Sequence, residues 1–226
     1  MLEQMNYYDT PTIVSASEPH MACLLLVDVS GSMDGAPITL LNDALNRFKN
    51  EVCADKRTRE ILDVAVVSFN HATEIVQPWV PIEYMEPVNL TASGGTSMAP
   101  AVETAVEMIE ERERFYKQAG TVPYKPWIVM ISDGFGGDVT AVAKRVVRLV
   151  EAGKLNFFSL GVEGYDPKPL HLLSGERVMK LKGYDFYSFF NWVGKSMRSV
   201  SQSSPGERPK GLPLPENVDK DTTDWM

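Results

Sequence analysis

The chain has 226 residues, 44% of them hydrophobic and 23% charged, with 30 acidic side chains against 22 basic ones and a formal net charge of −8. That length and composition suit one domain with a sizeable core, and ordinary Gly and Pro usage excludes collagen-like, low-complexity and wholly disordered chains. The acidic balance opposes a broad phosphate-backbone interface, which needs clustered Lys and Arg, so nucleic acid is not an expected partner.

Met1 to Pro19 carries Glu3, Asp9 and Glu18 without a basic stretch or an apolar run, and no segment approaches the about 20 apolar residues of a membrane span. These features predict a cytoplasmic protein with no membrane contact. Cys23 and Cys53 are the only cysteines, and both are expected as free thiols.

Residues 1–19 read as an N-terminal extension, 20–204 as the domain, and 205–226 as a Pro-rich, acidic, flexible tail. Ala22 to Val27 is apolar without alternation, as expected of a strand buried on both faces of a parallel sheet. From Pro37, Ile38, Leu41, Ala44, Leu45 and Phe48 recur at helical spacing, and the helix is expected to stop before Arg57-Thr58-Arg59. Ile61 to Phe69 and Thr73 to Val80 are β-rich runs joined by Asn70-His71-Ala72, which predicts one antiparallel edge pair. A helix with the stripe Met98, Val102, Ala105, Val106 and Ile109 follows Ser93-Gly94-Gly95-Thr96, with Pro100 tolerated in its first turn. Strand Trp127 to Ile131, helix Val139 to Val150 and strand Leu155 to Val162 continue the alternation, Val178 to Leu181 adds an edge strand, and a last helix carries Phe186, Phe189, Phe190, Val193 and Met197. The expected fold is α/β: a Rossmann-like, doubly wound, mostly parallel sheet with one antiparallel edge strand and helices on both faces.

In such a sheet ligands bind beyond the carboxyl ends of the strands. Strand one ends in Asp28-Val29-Ser30-Gly31-Ser32, which places a carboxylate and two hydroxyls at alternate positions on a turn. Thr96 follows two glycines before a helix, and strand Trp127 to Ile131 runs into Ser132-Asp133-Gly134. Each motif alone also suits turns and helix caps. Together they place Asp28, Ser30, Ser32, Thr96 and Asp133 on one rim, an oxygen-only set without His or Cys. Such a set suits a hard cation, Mg²⁺ foremost with Mn²⁺ or Ca²⁺ as others, and disfavours zinc. Two carboxylates and three neutral hydroxyls leave a dication short of ligands, so a partner protein's Asp or Glu is expected to complete it.

Asp28-Val29-Ser30-Gly31-Ser32, Thr96 and Asp133 resemble the metal-ion-dependent adhesion site of von Willebrand factor A domains. Phe189-Phe190-Asn191-Trp192 and Ser196 to Ser204 resemble the stand-alone bacterial tellurium-resistance proteins of the TerY type. The resemblance covers residues 20 to 204. It implies a Rossmann-like sheet, Mg²⁺ or Mn²⁺ at those five residues, cation-dependent protein binding without catalysis, and a bacterial stress-response setting beside a kinase or phosphatase. Phe135-Gly136-Gly137-Asp138 departs from the proline and threonine that often follow the aspartate-glycine pair, and Asp138 is expected to cap the next helix.

Two enzyme readings compete. Gly95-Thr96-Ser97-Met98-Ala99-Pro100 resembles the nucleophile segment of subtilisin-like peptidases, with Asp28 and His71 in that family's order, yet only 26 residues separate His71 from Ser97. A metal-dependent phosphohydrolase would want a base and a phosphate clamp, and the three loops hold no Lys or Arg, with no His expected near them. His20 and His171 are expected at the surface or in packing, and Tyr187 and Trp192 off the apolar stripe of the last helix. Asp219, Asp221 and Asp224 offer tail carboxylates that could occupy the metal.

Overall fold

The computed structural model describes residues 18–207 and 211–222. Strand β1, Met21–Asp28, is buried along its whole length. Its alternate residues Cys23, Leu25 and Val27 enter one core while Ala22, Leu24 and Leu26 enter another, so the unbroken apolar run reflects helices on both faces. The first core lies under α1, Ala36–Cys53, and α6, Phe186–Ser201; the second lies under α3, Met98–Gln118, α4, Thr140–Glu151, and α5, Pro167–Ser174. The remaining strands are β2, Leu62–Phe69, β3, Thr73–Pro81, β4, Trp127–Ser132, β5, Asn156–Gly161, β6, Val178–Leu181, and β7, Val218–Lys220. They form one sheet of seven strands in the order β3-β2-β1-β4-β5-β6-β7, parallel except at β3 and β7. This is the expected doubly wound α/β fold, with two antiparallel edge strands in place of one.

Several expectations are corrected. Arg57-Thr58-Arg59 lies inside a short helix, α2, Lys56–Ile61, whose N-terminus is capped by Asp55 accepting the Thr58 N–H at 2.9 Å. Only Thr58 and Ile61 of that helix are buried, too few to print a period on the sequence. Helix α5 is opened by Asp166 accepting the Lys168 N–H. β6 is not an edge, because β7 pairs with it antiparallel through Met179–Lys220 and Leu181–Val218. Val218–Lys220 therefore departs from the flexible tail expected over 205–226: one apolar anchor, Val218, and backbone pairing suffice, and neither leaves a hydropathy pattern. Residues 1–17 of the proposed extension, and Asp224 and Trp225 of the tail, lie outside the described residues.

Cys23 and Cys53 are both free. His20 and His171 are buried packing residues, His20 stacked on Tyr116 and His171 beside Asp221. Trp192 lies against Phe189 and Phe158, while Tyr187 is 41% exposed beneath the Arg47 guanidinium. Among the described residues no helix is long and apolar enough to cross a membrane.

Candidate metal centre

From β1 the chain winds outward through β2 and β3, then returns to place β4 on the other side of β1. The winding reverses at the adjacent strands β1 and β4, and their carboxyl ends are where ligands bind in an open α/β sheet. Asp28 is the last residue of β1, Ser132 the last of β4, and Asp133 follows.

The Asp28 carboxylate is fully buried; Oδ1 accepts the Ser30 N–H at 2.9 Å and Oδ2 accepts the Ser132 hydroxyl at 2.6 Å. The Ser132 oxygen in turn accepts the Gly134 N–H at 3.0 Å. Ser30 and Ser32 hydroxyls lie 2.9 Å apart, and the exposed Ser32 hydroxyl donates to Asp133 Oδ2. Asp133 Oδ1 accepts the Phe135 N–H at 3.1 Å. Ser30, Ser32 and Asp133 are thus joined across 101 residues of chain, and Asp28 is tied to the same two loops.

Thr96 is brought to this rim by backbone rather than by its side chain. The Gly31 N–H donates to Gly94 O at 2.9 Å, the Ser97 N–H to Asn70 O at 2.6 Å, and the Met98 N–H to Gly136 O at 3.2 Å. The Thr96 segment is therefore laced to the loops after β1, β2 and β4. None of the side-chain hydrogen bonds joining the other four residues includes the Thr96 hydroxyl. The β4 loop turns at Gly134, with φ of +79° and the Asp166 carbonyl only 2.1 Å from where a Cβ would sit, so no other residue fits without a shift.

Burial pushes the Asp28 carboxyl above the usual carboxylate range; hydrogen bonds from Ser132 and Ser30 oppose that shift, and the nearby Asp133 charge adds to it. No ion pair among the described residues includes Asp28 or Asp133. Nor do these residues hold a cluster of three or more His, Cys, Asp or Glu suited to a metal. The centre is a mixed set: two carboxylates without a protein cation, ringed by neutral hydroxyls. That oxygen-only chemistry and its charge deficit fit a hard dication, which would supply the missing positive charge. Each carboxylate oxygen keeps lone-pair capacity beyond the single bonds described.

Sequence reasoning missed two contributors. Ser132, treated as loop punctuation, orients Asp28. His71 was expected to lie away from the ligands, yet its ring covers Gly94, where a Cβ would come 2.7 Å from Nδ1. Strand adjacency was the available signal, because β2 neighbours β1 and His71 leaves the same end of the sheet. The peptidase arrangement finds no support: Asp28 bonds to Ser30 and Ser132, not to an imidazole, and Ser97 is the residue before α3. Asp138 accepts the Thr140 N–H at 2.8 Å and so serves the start of α4 as expected, from one position before the N-cap residue Val139.

Residues 23–135 match the von Willebrand factor type A domain family, half of the chain and all five rim residues. The chain belongs to that family. A comparison with curated proteins finds no match. Among solved structures, this von Willebrand A chain resembles a von Willebrand factor type A protein from Catenulispora acidiphila, at 16% identity and a TM-score of 0.61 over 80% of this chain and 43% of that one. It also resembles the vWF domain of the type V pili tip protein Mfa5 from Porphyromonas gingivalis, at 11% identity and a TM-score of 0.61 over 83% of this chain and 98% of that one. A third likeness is to proximal thread matrix protein 1 from the mussel byssus with a zinc-occupied MIDAS motif, at 17% identity and a TM-score of 0.52 over 84% of this chain and 46% of that one. This chain spans less than half the length of the first and third of these. At such identities the likeness establishes the fold.

Proposed function

We propose that this von Willebrand A domain is a divalent-cation-dependent protein-interaction module, with Asp28, Ser30, Ser32, Thr96 and Asp133 holding Mg²⁺. The observation that carries the reading is the Ser30–Ser32–Asp133 hydroxyl–carboxylate chain beside a buried Asp28 with no protein cation. A dication bound there supplies a Lewis-acidic centre able to take one further carboxylate. Ser30 and Ser32 would give hydroxyl oxygens, and Asp28 and Asp133 two buried carboxylates, Asp28 held in place by Ser132. Thr96 would turn its hydroxyl inward from the third loop.

The partner on this reading is a protein presenting an Asp or Glu, and the domain is not an enzyme. Phosphoryl chemistry would want a clamp for the phosphate, and no ion-paired Lys or Arg meets the two carboxylates. The resemblance of Phe189-Phe190-Asn191-Trp192 to tellurium-resistance proteins of the TerY type supports a cytoplasmic, bacterial stress-response assembly with a kinase or phosphatase as partner. The domain would begin near residue 20 and include β7.

Calorimetric titration of chelator-stripped protein with Mg²⁺, Mn²⁺, Ca²⁺ and Zn²⁺, alongside Asp28→Asn, tests this. Asparagine keeps an acceptor for the Ser30 N–H while removing the charge. Saturable Mg²⁺ binding weakened at least about tenfold by the substitution supports the reading. Equal binding by both proteins, or none by either, overturns it.

A further inference from the structure

The residue after β7 reaches the candidate metal centre through the turn that follows β5. Asp221 N–H donates to Val178 O at 2.9 Å, extending the strand pairing, and its side chain is fully shielded from solvent. Asp221 Oδ2 accepts the Tyr165 hydroxyl at 2.6 Å and faces His171 Nε2 at 3.0 Å. The Tyr165 ring lies flat on the end of β5: a Cβ on Gly161 would sit 2.6 Å from three of its atoms. The next residue, Asp166, donates its N–H to Asp133 O at 2.8 Å, and Val162 N–H donates to Ser132 O at 3.1 Å. Two consecutive peptides at the rim, those of the Asp28-orienting serine and of the Asp133 carboxylate, therefore hang on the turn that Tyr165 anchors.

We propose that Asp221 is a positioning residue for the metal centre: by gripping the Tyr165 hydroxyl it holds the 162–166 turn against Ser132 and Asp133. Its consequence for cation binding rests on the function proposed above; its consequence for the rim backbone does not. A buried carboxylate that accepts a phenol hydroxyl makes a strong, charge-assisted bond, and removing the charge loosens both partners at once. Burial and the Asp221 charge both push the Tyr165 phenol upward, which keeps it protonated and donating. The same strand supplies a control. Asp219 pairs with Lys182 at 2.9 Å on the surface and has no bond to the turn.

Amide hydrogen exchange on the metal-free full chain, followed by Mg²⁺ titration, tests the proposal with Asp221→Asn, Tyr165→Phe, their double variant and Asp219→Asn. Tyr165→Phe keeps the ring on Gly161, so it remains informative if the Asp221 variant unfolds. Asp221→Asn and Tyr165→Phe should each speed exchange of the Asp166 and Phe135 amides by about tenfold, with the double variant no faster than either. Asp219→Asn should leave those amides at the wild-type rate. Mg²⁺ affinity should fall several-fold in the first three proteins without a matching loss in Asp219→Asn. Wild-type exchange at Asp166 and Phe135, with acceleration confined to 218–220, overturns the proposal, as do additive effects of the two substitutions. Should the wild-type chain bind no Mg²⁺, the proposed function falls while the exchange data still decide the role of Asp221.

Discussion

Two buried aspartates stand at opposite ends of adjacent strands. Asp28 closes β1 and Asp63 lies near the start of β2, and they are 0% and 1% exposed. Asp63 is enclosed by the Arg112 guanidinium at 2.8 Å, the Tyr116 hydroxyl at 2.5 Å and His20 Nδ1 at 3.4 Å. Burial would raise its pKa, but His20, Arg112 and Tyr116 together hold it below the usual range. Asp28 has only neutral donors and a second carboxylate nearby, and it is raised. One end of the sheet pairs its buried carboxylate with a guanidinium; the other surrounds its carboxylate with neutral donors alone. A buried carboxylate without a protein cation is the feature on which the proposed metal centre rests.

The largest effect that tests this contrast is on Asp63. Asp63→Asn removes the buried carboxylate that the Arg112 guanidinium and the Tyr116 hydroxyl both meet, and urea unfolding should show a loss of about 3–5 kcal/mol with Mg²⁺ binding unchanged. The pH dependence has a definite sign: because the folded pKa lies below the unfolded value near about 3.9, the stability from Asp63 is present at neutral pH and lost as pH falls through the folded value. The gap between wild type and Asp63→Asn should therefore close in acid. Next in size, Mg²⁺ at about 100 times its Kd should add about 2.7 kcal/mol to the wild-type chain and far less to Asp28→Asn at the same concentration, read as a shift in thermal midpoint. Gly134→Ala places a Cβ against the Asp166 carbonyl at a positive φ, and should cost about 1–2 kcal/mol and weaken Mg²⁺ binding in the same titration. Smallest is Thr96→Ala: stability should stay within about 0.5 kcal/mol while Mg²⁺ affinity drops, which would separate ligation from folding. A Thr96 variant that binds Mg²⁺ as wild type would remove that residue from the set.

Much of the fold was legible because buried parallel strands and amphipathic helices print long hydropathy signals. The run Ala22 to Val27 and the stripe Met98 to Ile109 each name their element without any knowledge of neighbours. Elements too short for a period, α2 and β7, were not legible, since a cap and a backbone pairing hold them. Of the candidate site, Asp28, Ser30 and Ser32 are close in sequence and visible as one motif. Asp133 and Thr96 were placed by topology, and the structure brings the Asp133 side chain and the Thr96 backbone to the rim.

The sequence by itself determined the doubly wound sheet, the end of it where the oxygen groups collect, and the acidic balance of charge, because all of these follow from local pattern and composition. Only the tertiary structure decided that Asp28 is oriented by Ser132, that His71 overlies the Thr96 loop, that Asp221 is locked under Tyr165, and that Asp63 has its own cation while Asp28 does not. Those facts are contacts between residues far apart in the chain. The burial that makes each of them count arises once the helices have packed on both faces of the sheet.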